Sequence, residues 1–435
     1  MEQEMQARLL AFLNESPSCY HAVENLRREL LAAGYQELLE FQPWEIRPGG
    51  RYFLVRGDST LAAFRIPETS ARGFLIAAGH SDCPTFKVRE EAEVPSAGGT
   101  LRMSVEPYGG AIYRSWLDRP LSVAGRVAVR EGGGVRTRLI NVDRDLLVIP
   151  SVAIHMDRKV NEGTLLSPAT DLLPLLGCGE KGAFRRLIAA QAGVSEEDLL
   201  STELFLYPRT PATLTGLDEE FILSPRLDDL QCVFGCFQGF LAAHTGESVP
   251  VFCVFNNEEV GSGTRQGADS TFLADVLSRI SHGLGRTEEE HLSAVAESFF
   301  ISADNAHAIH PAHPEYADGQ EFPVLGGGIV VKYNANQRYT TDAVSAAVFQ
   351  EICRGAGAAV QRYSNRADLP GGSTLGNLST AHLSVPTVDI GLAQLAMHSC
   401  CELASVRDTE TLAKAMTRYF ETSLRRLPGD GIELR

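Results

Sequence analysis

Two adjacent acids, Glu258 and Glu259, close the apolar run VPVFCVF in the stretch FNNEEVGSGTRQG. Neighbouring side chains on a strand face opposite sides. An acidic doublet where a strand gives way to a glycine-bearing turn is therefore either a solvated loop or a pair with divided labour. The divided labour would be one metal ligand and one general base. Other strand ends carry residues of the same kind. GFLIAAGH ends in His80, with Asp82 two residues on; ESFFISAD ends in Asp304; VPTVDIGLAQLAMHS carries His398 just past its strand. SPRLDDL puts Asp228 at the start of a helix. In open α/β sheets, ligands bind outside the carboxyl ends of the strands. Imidazole and carboxylate oxygen both suit zinc, and the lack of thiolates argues against a closed structural site. The inventory suits two ions about 3.5–4 Å apart that share a carboxylate and a water, with Glu258 left over to take the water's proton. Singly, a histidine in a turn or an aspartate opening a helix is ordinary. Their joint occurrence at strand ends is what needs explaining.

The elements that must position these residues are legible in outline. Residues 1–40 have helical spacing, through Leu9, Leu10 and Phe12 and then Val23, Leu26, Leu30 and Leu31. From about 50 to 130, short apolar runs between Gly and Pro predict strands. RLINVDRDLLVI predicts a strand, and AFRRLIAAQAG and SEEDLLSTEL together predict one or two helices. After Pro225, helical and buried-strand patterns alternate, the mark of a layered α/β domain. GFLIAAGH belongs by texture with that later half. The expected organisation is a catalytic α/β domain over 1–88 and 218–435, interrupted by a β-rich insert over 89–217.

The 435 residues are 44% hydrophobic, enough for a large core and more than one domain. A formal net charge of −16 without a basic run excludes nucleic acid and anionic membrane as partners. MEQEMQARLLAFLNES lacks a basic start and a continuous apolar core, so no signal peptide is expected. Nine cysteines form no CxxC pair, and Cys232 and Cys236 fit one helix face. A reduced, cytoplasmic protein is expected.

GHSDCP, SPRLDDL, NNEEVGS, SADNAHAIHP, VKYNANQRYTT, GGSTLG and LAMHSCCE, in this order, resemble the M18 metallopeptidase family, the aspartyl aminopeptidases. INVDRDLLVIPSVAIHMDRKVNEG resembles that family's inserted domain, so the resemblance covers nearly the whole chain. It implies a three-layer α/β zinc exopeptidase with an inserted dimerisation domain and two zinc ions per subunit. His80 and Asp304 would hold one ion, Glu259 and His398 the other, with Asp228 bridging. Manganese or cobalt would accept the same ligands. Glu258 fills the general-base position and Asp82 that of the acid orienting His80. His155, in VAIHMDRK, matches a histidine that reaches into a neighbour's active site, in dimers that assemble into a tetrahedral dodecamer. The substrates implied are peptides with a free N-terminus, preferably Asp or Glu.

Lys332, flanked by the apolar run GGGIVV, is the group expected to meet an acidic first side chain, since the −16 background offers no other attraction. His307 and His310 are expected to line or brace the site. Gly372 and Ser373, within GGSTLG, are expected to shape the pocket through their backbone. One departure is MHSCCE, where the family more usually has a bulky aliphatic and an Arg between Ser and Glu. The competing readings are an aminopeptidase of neutral or basic preference, a deacylase of a related metal-dependent clan, and a metal-stabilised binding or assembly module without turnover.

Overall fold

The computed structural model describes residues 2–69, 71–369 and 371–435. Four apolar runs form the centre of a 13-stranded sheet. We label them β1 (Phe74–His80), β2 (Val249–Phe255), β3 (Phe299–Ala303) and β4 (Thr387–Leu395). β1 pairs in parallel with β2 on one side and β3 on the other, and β3 pairs in parallel with β4. The spatial order is thus β2-β1-β3-β4. All four carboxyl ends lie along one edge, and the chain reverses its winding direction between β1 and β3. That reversal opens a crevice at which ligands bind in doubly wound sheets.

The runs read as continuous rather than alternating because both faces of the sheet are covered. Leu75, Ala77, Phe252, Val254, Phe299, Ile301, Val388 and Ile390 pack into one core with the helices Leu227–Ala242, Ala343–Ala356 and Val406–Glu421. The alternate residues Phe74, Ile76, Ala78, Val251, Cys253 and Phe300 pack into a second core with Phe272–Gly283. Each fully buried Phe, Leu, Ile or Val contributes about 1.5–3 kcal/mol, which holds the strand ends rigid. The result is a three-layer α/β architecture.

A separate six-stranded antiparallel sheet lies between β1 and β2 in the chain. Its order is Gly134–Asn141, Leu121–Glu131, Leu199–Pro208, Thr85–Ser96, Thr100–Tyr108 and Leu175–Cys178. It has its own core, closed by the helix Ala183–Ala192.

Two expectations are corrected locally. The helix expected over 1–40 is two helices, Glu2–Asn14 and Cys19–Ala32, interrupted around Pro17 and followed by the short strand Gln36–Glu37. Proline disfavours helix in the residue before it. SEEDLLSTEL is a turn leading into the strand Leu199–Pro208 rather than a helix. Leu199, Leu204 and Leu206 are buried in the core of the six-stranded sheet, and that packing overrides the helical propensity of the acids around them.

Candidate metal centre and active site

His80 is the last residue of β1 and is 1% exposed. Its Nδ1 lies 3.1 Å from the backbone carbonyl of Asp82. A carbonyl only accepts, so Nδ1 carries the proton and Nε2 offers a lone pair to the crevice. The Asp82 carboxylate stands behind the same nitrogen at 3.4 Å. Nε2 faces Asp228 Oδ1 at 3.3 Å and Asp304 Oδ1 at 3.9 Å.

His398 repeats this arrangement from the other side. Its Nδ1 donates to the carbonyl of Gly110 at 3.2 Å. Its Nε2 faces Asp228 Oδ2 at 3.6 Å and Glu259 Oε2 at 3.4 Å. The two oxygens of Asp228 are therefore divided between two histidines, each with its own second carboxylate. Asp228 can take this place because it sits in the first turn of Leu227–Ala242 with a non-helical backbone, φ −81° and ψ 109°.

The acidic doublet is turned by Asn257, whose φ of 62° is left-handed. A single 3-10 turn, Glu258–Val260, follows and ends the strict alternation of β2. Asp82 holds both acids from behind. It accepts the backbone N–H of Glu258 and that of Glu259, each at 3.2 Å. Glu259 reaches His398, and Glu258 lies with Glu259 and His80, their ligand atoms within 4.8 Å of one another.

Ligand atoms of His80, Asp228, Asp229 and Asp304 lie within 4.8 Å of one another, as do those of Asp228, Glu259 and His398. Asp228 Oδ1 and Asp229 Oδ1 are buried without a hydrogen-bond partner. Buried unpaired carboxylate oxygens are costly unless a cation takes them up. The donor set is nitrogen and oxygen only, which fits zinc of the catalytic kind.

A family model described as "Aminopeptidase I zinc metalloprotease (M18)" matches residues 12–420. The chain belongs to the M18 family. It is accordingly a metallo-aminopeptidase by class. A relative from Clostridium acetobutylicum, "Probable M18 family aminopeptidase 2", is 40% identical over 428 residues, 96% of this chain and 99% of that one. A relative of the same name from Pseudomonas aeruginosa is 38% identical over 433 residues, 97% and 99% of the two chains. The cryo-EM structure of the Ape4 and Nbr1 complex superposes with a TM-score of 0.93 at 35% identity, covering 97% of this chain and 86% of that one. The S. cerevisiae mApe1 dodecamer superposes at 0.85 with 25% identity, covering 96% and 97%.

The electrostatics of this M18 site are those of too many acids in too little water. Burial, reinforced by Asp304, Asp82 and Asp228 and opposed by His80, pushes Glu258 up to about 8. Burial and the Asp228 carboxylate raise Glu259. Burial lifts Asp304 to about 6 against the pull of Lys332. Asp228 alone goes down: burial opposes its ionisation, but the two flanking imidazoles, His398 and His80, outweigh it. Such an acidic cluster, buried together, calls for cations.

Lys332, on the strand Ile329–Tyr333, is 3% exposed. Its ammonium donates to the carbonyl of Asn305 at 2.8 Å and lies 3.6 Å from Asp304 Oδ2. It also sits 5.5 Å above the ring of Tyr339. His307, His310 and Gly372 line a cavity of about 280 Å³ with Tyr363 and Arg366. Ser373 is exposed beside Gly372, just ahead of Thr374, which donates to buried Asp389 at 2.6 Å. His155 lies in an exposed loop and makes no hydrogen bond or ion pair with the cluster.

Several residues of the site carry no mark in the sequence reading. Asp229 accepts the backbone N–H of His80 at 3.0 Å, and a Cβ at Gly79 would stand 2.5 Å from that carboxylate. Glu402, 2% exposed, accepts the N–H of Asp228 at 3.1 Å and that of His398 at 2.8 Å. Both lie within quoted motifs, as the second acid of SPRLDDL and the last residue of LAMHSCCE. Tyr108 and Gly110 come from the second sheet, where no motif points to them.

Proposed function

We propose that this protein is a two-ion aminopeptidase that releases N-terminal residues, preferably Asp or Glu, from peptides. The observation that carries this reading is the division of Asp228 between two histidine–carboxylate sets, with one carboxylate, Glu258, left over beside them. His80, Asp304 and Asp228 would hold one ion; His398, Glu259 and Asp228 the other. When bound, zinc ions acidify a water and polarise the scissile carbonyl. Glu258 takes a proton from the attacking water at a carboxylate oxygen and returns it to the leaving amine. His155 of a second copy stabilises the developing oxyanion.

The organisation proposed is a catalytic domain over 1–88 and 218–435 and a dimerisation domain over 89–217. Self-association into a dimer, and into a tetrahedral dodecamer, is supported by the mApe1 dodecamer whose fold this chain shares. Among the described residues no helix is long and apolar enough to cross a membrane. All nine cysteines are free, as a reduced cytoplasmic setting requires.

The acidic preference rests on Lys332, the buried ammonium nearest the cluster. A neutral or basic preference is the second reading, favoured by the fact that Lys332 already faces Asp304. Hydrolysis of X-Ala dipeptides, with X as Asp, Glu, Leu and Lys, in zinc, manganese and cobalt, separates the two. Fast release of Asp and Glu alone is expected, and Lys332→Met should then weaken acidic substrates selectively. If Lys332 serves only Asp304, the substitution lowers all four rates together and weakens metal binding.

A further inference from the structure

The segment Tyr108–Ile112 leaves the second sheet at the end of the strand Thr100–Tyr108 and runs along the metal centre. Four hydrogen bonds and one close backbone approach tie it there. The Tyr108 hydroxyl donates to Asp82 Oδ2 at 2.7 Å and accepts from Asn257 Nδ2 at 2.9 Å. Gly109 has φ 71°, and a Cβ there would stand 3.1 Å from Cβ of Glu259. The carbonyl of Gly110 accepts from His398 Nδ1. The N–H of Ile112 donates to the carbonyl of His398 at 2.9 Å.

These contacts converge on both halves of the site. Asp82 stands behind His80 and carries the backbone of Glu258 and Glu259; Tyr108 fixes where Asp82 stands. Gly110 and Ile112 clasp His398 from its ring and from its backbone. Asn257, the left-handed residue that turns the doublet, is tied to the same hydroxyl and also accepts from Thr264 at 2.8 Å. The Tyr108 ring is itself held edge-on against Phe205 of the second sheet, with centroids 5.4 Å apart.

We infer that Tyr108–Ile112 is a brace, supplied by the second sheet of the same chain, that positions the metal ligands and the general base. Tyr108 is its positioning residue: it reaches the reaction only through Asp82 and Asn257. This rests on the two-ion reading of the site. A partner that orients a ligand from behind is worth about 10–100-fold in metal affinity or activity. The brace gives the second sheet a part in the chemistry beyond any contact it makes with another copy. A displacement of that sheet against the first would reach Asp82 and His398 directly.

The test is Tyr108→Phe, which removes one hydroxyl and keeps the ring on Phe205. Zinc binding by calorimetry on the metal-stripped protein is the first readout, and kcat and KM on the best dipeptide the second. The expected result is zinc affinity weaker by about tenfold and kcat lower by about 10–100-fold, with KM within about twofold. Ile112→Pro is the second variant. It removes the N–H given to His398 at an exposed residue whose φ of −78° suits proline. It should weaken zinc binding in the same direction. Unchanged zinc affinity in both Tyr108→Phe and Ile112→Pro would overturn the brace, as would a fall in melting temperature alone. Failure of the wild type to hydrolyse any peptide would instead strike the aminopeptidase reading, because zinc affinity still reports on the brace.

Discussion

The carboxyl edge of the central sheet and the loop around His155 carry candidate catalytic groups in opposite physical states. At the sheet edge, His80, Asp228 and Asp304 are buried; within one chain Asp82 and Asp229 hold His80, Glu402 holds Asp228, and Gly110 holds His398. In the loop, His155 sits in water among apolar side chains that nothing covers: Val152 is 57% exposed, Met156 84% and Leu165 94%. The first region is organised by folding alone. The second has the composition of a surface awaiting cover, since exposed apolar clusters of this kind mark interaction sites. On the function proposed above, a single chain would hold its own ligand set and a second copy would bring His155 to it.

The sharpest way to break this contrast is to disable one region and read the other. Glu258→Gln should bind zinc as the wild type does and lose about 10²–10⁴-fold in kcat, measured by calorimetry and by dipeptide hydrolysis. Retained turnover would remove Glu258 from its role as base. His155→Ala should leave zinc affinity unchanged and lower kcat by about 10²-fold, the size expected for one oxyanion donor. Mixing the two inactive variants sharpens the comparison further. Random exchange in a two-fold dimer pairs an intact Glu258 with an intact His155 in roughly a quarter of the sites. Recovery towards that level places His155 in the neighbour's site; no recovery keeps it in its own chain or out of the reaction.

The smallest effect concerns stability near the N-terminal helices. Burial and the charge of Arg226 lower His21 to about 4. Its Nδ1 lies 2.8 Å from Ser18 Oγ. The folded state keeps His21 neutral while the unfolded chain protonates it near 6.5, so between those values the unfolded state binds more protons. Stability should fall as pH drops from about 6.5 towards 4, by on the order of 1–3 kcal/mol. His21→Asn should flatten that part of a urea-denaturation profile. An unchanged slope would show that other groups govern it.

How much of the site could be read in advance depended on how each residue is held. The donors at strand ends were legible because runs buried on both faces are apolar until they stop, and a polar residue at the stop stands out. GFLIAAGH, VPVFCVF and ESFFISAD each announce their end in this way. Glu402, Asp229 and Tyr108 did not stand out, because a carboxylate that accepts backbone N–H groups or a tyrosine that braces one has no characteristic spacing. SEEDLLSTEL has a local preference for helix, and only the packing of Leu199, Leu204 and Leu206 makes its second half a strand. The exposed loop of His155 had no local signal at all apart from its family resemblance.

The amino-acid sequence by itself determined which side chains could bind metal, that they stand at strand ends, and that one acid more than the ligand set requires is present. Tertiary structure decided the rest. It divided the two oxygens of Asp228 between His80 and His398, seated Lys332 against Asp304, and drew Tyr108 and Gly110 from a second sheet into the first sheet's site. The physical reason is range. Burial and strand ends are set by a residue and its near neighbours, and so leave a periodic trace in the chain. The hydrogen bonds that orient a ligand join residues such as Gly110 and His398, 288 positions apart, and no local pattern records them.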